Sequence, residues 1–318
     1  VNNSANLTQP REFSGKIAVG FANGIGNFIQ FIPVLQAISK KYSTHLFFDE
    51  NLDLPVQPQL IELATHLFTV KRFPSEYRRE MYSARFMSSH NNWCVMYDEF
   101  VEEREDFDWA ASYISEIGFY LDEVYKKFGL SVPSLNIEIP FDEEVHEQYS
   151  DRKFICIVNG WLKWKNSQMR RKSYPHWGEV IENLIEFYDG EIFLLGGETD
   201  RAWASAISGI SPKCKDFTGK YNLIEAFALL KLSELVAGND TGLMHAANAL
   251  GKKVVLLFGP TLFSKNGPIG ENYKVIISPY HCAPCQGTRR WFLCKEEESC
   301  MKAISPHLVF SAIRKSIS

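Results

Sequence analysis

GNDTGLMHAANALGKKVVLLFGPT, residues 238–261, joins three local patterns in one run. A polar, turn-prone start leads into small residues at helical spacing. A bare apolar strand follows, and the run ends on Gly-Pro-Thr. A short apolar run bounded by turn residues reads as a buried strand, and strand–helix–strand order is the unit of an α/β fold. Residues 238–242 therefore link a strand end to a helix N-terminus. In an open α/β sheet, ligands sit beyond the carboxyl ends of the strands. Thr241 or Asp240 is expected to cap the helix. Gly242 lets a ligand approach the backbone closely. The N–H groups and the positive dipole end favour a phosphate. His245, one turn in, reaches the same phosphate or a sugar hydroxyl. A well-capped helix whose His packs in a core accounts for the same residues more plainly.

The same alternation extends in both directions. Residues 16–21, 45–49 and 66–73 read as strands, with helices over 29–38 and 59–64 between them. It restarts with strands at 153–160, 191–197, 214–220, 234–240, 253–259 and 274–278. Helices are expected over 174–188, 199–208, 222–233, 241–250 and 305–318. Between the two runs, 74–110 is rich in Arg, Tyr, Trp and acids, and 93–100 suits a strand with a charged end. Residues 109–130 suit a long helix ended by Gly129. The stretch 131–152 carries Pro133 and Pro140 and reads as a linker. Two α/β halves follow, residues 1–145 and 146–304, closed by a terminal helix over 305–318.

A chain of 318 residues suits two ordinary domains. Hydrophobic content of 45% and charged content of 23% are normal for a soluble globular protein. A net charge of −4 argues against nucleic acid as a partner. No apolar run reaches bilayer length. The polar residues 1–16 lack the apolar core of a signal peptide. A cytoplasmic protein with at most peripheral membrane association is expected, and self-association is open.

Two nucleotide-binding signatures fail. After the first strand, ANGIGNFIQ (22–30) supplies Gly24 and Gly26 but no third glycine of the dinucleotide fingerprint. No Walker A loop occurs. An NAD-dependent oxidoreductase is disfavoured accordingly. Near the C-terminus, Cys282, Cys285, Cys294 and Cys300 give a C-x₂-C-x₈-C-x₅-C run. Four soft ligands so close make a structural zinc or iron site the expectation. Reduced thiols, or disulfides in an exported protein, are the alternatives. The cluster is not expected to be catalytic, because four thiolates close the coordination shell. WLKWKNSQMRRK (161–172) sets two Trp among basic residues, a positive lip over phosphates or a surface for an acidic partner.

Several segments, in order, resemble the heptosyltransferase family, glycosyltransferase family 9. DTGLMHAANALG (240–251) followed by LFGPT is similar to its D-[TS]-G-x-x-H-x-A-x-A-x-G signature. FLLGGETD (193–200), DFTGKYNLIEAFALL (216–230), RRKSYPHW (170–177, Tyr174 in a Trp place) and GIGNFIQFIPVLQAI (24–38) resemble its other segments. The resemblance implies a GT-B fold, two Rossmann-like domains facing across a cleft. It puts the nucleotide-sugar donor on the C-terminal domain, the acceptor on the N-terminal one, and the terminal helix back on the N-terminal domain. ADP-heptose or a related donor, a glycan or protein hydroxyl as acceptor, and no catalytic metal are implied.

By the same resemblance, Lys172 contacts the donor phosphates, and Thr241, Gly242 and Leu243 hold the diphosphate on the helix end. Asp240 and His245 orient sugar or phosphate, Glu198 reaches ribose or base, and Thr218 and Gly219 line that wall. The family's presumed base is an Asp where this chain has Asn27, whose amide takes no proton at neutral pH. Three readings stay open: another carboxylate serves, with Asp98 or Glu99 at the end of a candidate strand expected; the acceptor needs little base help, the amide only orienting it; or transfer is lost or altered. Catalytic candidates are thus Asn27, Asp98, Lys172 and His245. A non-catalytic nucleotide-sugar-binding protein is the alternative, with Asn27 as its support. Some relatives that glycosylate autotransporter proteins hold iron through cysteines at wider spacing.

Overall fold

A computed structural model describes residues 16–21, 24–48, 58–72, 84–88, 94–96, 117–118, 121, 124–125, 128–135, 137–160, 172–286, 288, 294 and 299–317. The described residues up to Leu135 belong to one unit and those after Asn136 to a second.

The first unit is built on β1 (Lys16–Phe21), α1 (Ile25–Lys41), β2 (Ser43–Phe48), α2 (Pro58–Leu67), β3 (Thr69–Arg72), β4 (Ala84–Ser88) and β5 (Cys94–Met96). Its sheet runs β3-β2-β1-β4-β5, parallel except for β5, which pairs antiparallel with β4. Strand β4 lies in the stretch 74–110, where its alternation was not recognisable among Arg, Phe and Met. Helix α1 buries Phe28, Ile29, Phe31, Ile32, Leu35 and Ile38 and ends on Lys40 and Lys41, which suits the negative end of the dipole. Helical residues at 117, 121, 124 and 128 fall within the expected 109–130 helix, and Gly129 follows with φ +61°.

The second unit opens with α3 (Glu143–Tyr149), inside the stretch read as a linker. Asp142 caps it through Val145 N at 2.8 Å. Val145 and Tyr149 are buried, and Asp142 N donates to Ile224 O at 3.2 Å. The helix is thus part of the second unit, and the boundary falls near 136 rather than at 145/146. Its polar exterior hid it, because only one face of a short helix needs to be apolar.

Then come β6 (Phe154–Val158), α4 (Trp177–Phe187), β7 (Glu191–Leu195), α5 (Arg201–Ser208), β8 (Cys214–Asp216), α6 (Leu223–Leu232), β9 (Val236–Asn239), α7 (Gly242–Ala249), β10 (Val254–Phe258), α8 (Phe263–Asn266), β11 (Tyr273–Ile277), α9 (Ser299–Lys302) and α10 (Pro306–Ile317). The all-parallel sheet runs β11-β10-β9-β6-β7-β8. From the other edge, the unit's strands stand third, second, first, fourth, fifth, sixth, which is the Rossmann order. Every residue of β6 and β10 is buried, as strands covered on both faces require. Tyr174 and Trp177 are fully buried in a core with Ile155, Leu184, Leu194 and Val255. Each large apolar side chain so buried contributes about 1.5–3 kcal/mol.

Helix α10 buries Val309 and Ile313 in that same core. Phe310 meets Phe187 of α4 edge-on, with ring centroids 6.1 Å apart, and the Arg314 guanidinium lies over the Phe187 ring. These contacts lie within the second unit. The apolar face of α10 finds its complement on α4. No described helix is long and apolar enough to cross a membrane.

Candidate functional site

Strands β6 and β9 are neighbours in the sheet but first and fourth in the unit's chain order. This is where the strand order reverses, the point at which open α/β sheets bind ligands beyond the carboxyl ends. Asn159 and Gly160 follow β6, and Asp240 and Thr241 follow β9. Asn239 Nδ2 donates to Gly160 O at 2.9 Å, tying the two ends together. A Cβ on Gly160 would stand 3.2 Å from Thr241 Cγ2 and 3.9 Å from Asp200 Oδ2, so any side chain there would press on Thr241.

Lys172 is brought to this point by its neighbours. Tyr174 N donates to Asn159 Oδ1 at 2.7 Å, and Asn159 Nδ2 returns a bond to Tyr174 O at 3.1 Å. Tyr174 Oη donates to Ile304 O at 3.0 Å. The backbone after Lys172 is therefore pinned to the end of β6. Lys172 Nζ lies 2.9 Å from Asp240 Oδ2 and also donates to Asp240 O at 3.2 Å. His245 Nε2 lies 3.2 Å from Asp240 Oδ1. Asp240 and His245 are buried, and the Lys172 side chain is 16% exposed.

The expected cap is not what forms. Thr241 occupies the N-cap position of α7 in an extended conformation, but its side chain makes no capping bond. Its Oγ1 is buried without a hydrogen-bond partner among the described residues. Asp240 turns its carboxylate to Lys172, His245 and Asn266, because a cation offers a buried carboxylate more than a backbone N–H does. Burial works to raise the Asp240 carboxyl. The Lys172 charge, then the hydrogen bond and charge of His245, outweigh it and hold the carboxyl well below the usual carboxylate range.

A second group sits on the ends of β7 and β8. Gly219 N donates to Gly196 O at 3.0 Å, and Gly219 has φ +65°. The positive φ is what favours glycine there, and a Cβ would also displace the exposed Glu198 carboxylate. Glu198 pairs with Arg201 at 2.9 Å, both largely exposed. Thr218 is buried, and its Oγ1 donates to Asp216 Oδ1 at 2.6 Å. Its hydroxyl thus faces the turn, leaving its backbone to line the wall. Asp200, buried at 4% exposure, accepts from Gly197 N at 2.8 Å.

The fold thus gathers Lys172, Asp240, Thr241 and His245 at one point, with Gly242 and Leu243 opening α7 beside them. Glu198, Thr218 and Gly219 form the neighbouring wall, and Gly160 stands between Thr241 and Asp200. Asn27 belongs to the first unit, in the opening turn of α1, and is half-buried. Asp98, Glu99 and the 161–171 segment lie outside the described residues. Gly160, Asp200 and Asn266 were missed in the sequence. Asn266 stands 26 residues from its partner Asp240, so no local pattern could show it.

Cys282, Cys285, Cys294 and Cys300 line one small cavity with Pro260, Tyr280 and Ala283. Cys285 and Cys300 are buried, and none of the four is in a disulfide. Burial, and then the neighbouring thiols, push Cys300 up to about 11. Their convergence agrees with the spacing, but the expected metal site is not formed. No group of three or more His, Cys, Asp or Glu among the described residues is placed to hold an ion.

The model of glycosyltransferase family 9 (heptosyltransferase) matches residues 96–295. The chain belongs to glycosyltransferase family 9. Lipopolysaccharide heptosyltransferase 2 of Escherichia coli (strain K12) is 28% identical over 120 residues, 35% of this chain and 34% of that protein. The matched segment thus spans about a third of the curated relative's length. Among solved structures, a glycosyl transferase family 9 protein from Veillonella parvula superposes with TM-score 0.68 at 16% identity, covering 97% of this chain and 99% of that one. E. coli ADP-heptose lps heptosyltransferase II gives 0.64 at 15%, covering 95% and 98%. The iron-containing dodecameric glycosyltransferase TibC from enterotoxigenic E. coli gives 0.61 at 15%, covering 94% and 78%. The family 9 chain therefore has the α/β GT-B fold of these structures. The matched span contains the whole Lys172–Asp240–His245 group.

Proposed function

We propose that this family 9 chain transfers a heptose-type sugar from a nucleotide-diphosphate donor such as ADP-heptose to a glycan hydroxyl of the lipopolysaccharide kind. The observation that carries it is the placing of Lys172 and the α7 N-terminus together at the mouth of a Rossmann sheet. In the reaction, the acceptor oxygen bonds to the anomeric carbon as the bond to the diphosphate oxygen breaks. Negative charge then grows on the leaving diphosphate. Lys172 and the N–H groups at the α7 end are fixed donors for it, and fixed donors need no reorganisation as the charge develops. Glu198, beside Gly219, suits a ribose. Membership of a family named for heptose transfer, and the name of the E. coli relative, support the sugar and the acceptor class. We place the reaction on the cytoplasmic side of the membrane, where no spanning helix is needed.

Calorimetric titration with ADP, UDP and GDP tests the donor class. ADP is expected to bind in the micromolar range and the other two at least tenfold more weakly. Equal binding of all three, or none, would remove ADP-heptose as the donor.

A nucleotide-sugar-binding protein without transfer has Asn27 in its favour, because the amide cannot take the acceptor's proton. Helix α1 has no acidic residue in its first turn, so a carboxylate there also suits the helix dipole. Asn27→Asp is expected to raise turnover on the order of 10²-fold, the lower range for general-base help, with no loss of melting temperature. ADP release with ADP-heptose and a heptose-accepting glycan measures it. An unchanged, measurable rate would mean another carboxylate already takes the proton. No turnover in either protein would favour the binder.

A further inference from the structure

Asn266 ends the single turn α8 and donates Nδ2 to Asp240 Oδ2 at 3.1 Å. That oxygen also takes Lys172 Nζ at 2.9 Å. We infer that Asn266 is a positioning residue for the donor site, holding the Asp240 carboxylate in place when Lys172 turns to the donor diphosphate. This rests on Lys172 being the diphosphate ligand.

Two contacts of Lys172 Nζ go to Asp240, one to Oδ2 and one to the main-chain oxygen. A phosphate must compete with both. Asp240 is 4% exposed, so water does not replace a donor it loses. Without Asn266, movement of Lys172 toward phosphate would strip Oδ2 of the donor it has on that side, and the buried carboxylate would pull the ammonium back. Asn266 leaves Oδ2 satisfied. Being neutral, it adds no charge that would compete with the phosphate for Lys172 or repel it. His245 does the same for Oδ1 at 3.2 Å. The carboxylate is thereby fixed from two sides by groups that need not move.

The reach of Asn266 is set elsewhere in the fold. Pro260 O accepts from Cys285 N at 3.0 Å and from Gln286 N at 2.9 Å. Leu262 N donates to Gln286 Oε1 at 2.9 Å. Asn266 N then closes the turn on Leu262 O at 2.9 Å, and the Phe263 ring packs edge-on against Phe258 at 5.4 Å. The segment from Pro260 to Asn266 is thus fastened to the turn that carries Cys285, independently of Asp240. Asn266 arrives at Asp240 already placed.

The test is a double-mutant cycle on the full chain, with ADP as the probe in calorimetry and the melting temperature read alongside. Asn266→Ala is expected to weaken ADP about tenfold, the worth of one hydrogen bond to a charged group. In a Lys172→Ala background the same change is expected to do almost nothing, because no ammonium is left to be released. A merely structural Asn266 would move the melting temperature and would weaken ADP equally in both backgrounds. Equal losses overturn the inference. So does unchanged affinity in Asn266→Ala when Lys172→Ala has lost ADP. Unchanged affinity in Lys172→Ala is a different result, which overturns the donor-site reading and this inference with it.

Discussion

Asp240→Ala is expected to lower the melting temperature of the second unit by on the order of 10 °C. The carboxylate is buried, with Lys172 Nζ at 2.9 Å and His245 Nε2 at 3.2 Å. Removing it leaves the Lys172 ammonium, 16% exposed, without its counter-charge. Breaking a buried pair by removing one partner destabilises by about 3–5 kcal/mol. For a unit of this size each kcal/mol moves the melting temperature by roughly 2–4 °C. The pH dependence follows from the direction of the shift. The folded-state carboxyl is held below its unfolded value, so it binds fewer protons than the unfolded chain does in acid. Its contribution is fully present above the unfolded carboxylate value of about 4. It is lost as pH falls through the folded value. The gap between wild type and Asp240→Ala should therefore be widest above about pH 4 and begin to narrow below it. Scanning calorimetry between pH 3 and pH 8 reads this, and a gap that stays constant with pH would mean that the charge contributes nothing. Asp240→Asn keeps the shape and isolates the charge from the cavity.

Lys172→Ala has the larger expected effect on binding. One ammonium on a phosphate makes charge-assisted hydrogen bonds worth about 1.5–3 kcal/mol, or roughly 10–10²-fold in affinity. The upper end is expected, because Lys172 is mostly withdrawn from water and its attraction to phosphate is only weakly screened. Lys172→Arg should not restore binding. The guanidinium is a wide planar fork, whereas Lys172 meets Asp240 Oδ2 and Asp240 O through one compact ammonium. ADP calorimetry on both variants is the measurement, with a wild-type affinity that weakens as salt is raised. An alanine variant that binds ADP as wild type does would move the diphosphate away from β6 and β9 altogether. Lys172→Ala should also be less stable than wild type, since it leaves Asp240 buried without its main cation. The melting curve must therefore accompany the titration.

Much of the second unit was determined by sequence alone. Its strands are short apolar runs because both faces of a parallel sheet are covered, so Phe154–Val158 and Val254–Phe258 stand out without any knowledge of their neighbours. The turn at 238–242 could be read as a strand end meeting a helix N-terminus, since strand polarity and helix dipole are properties of the local chain. What the sequence left open is what depends on distant partners. Asp240 looked like a helix cap because capping is local. It became the centre of an ion group because Lys172, 68 residues away, is delivered to it by the Asn159–Tyr174 clamp. That the Thr218 hydroxyl bonds to Asp216 was not legible either. Helix α3 looked like a linker because its apolar face has only Val145 and Tyr149 to show, and that face takes its meaning from distant partners, the Phe193 and Phe217 rings on Tyr149 and the start of α6 beside Asp142. The four cysteines were legible as a cluster, but their distances were not, since a thiol's reach depends on the turns around Pro260 and Tyr280. Local pattern fixes where strands and helices begin. Which polar side chains meet across them is decided only when the sheet brings their ends together.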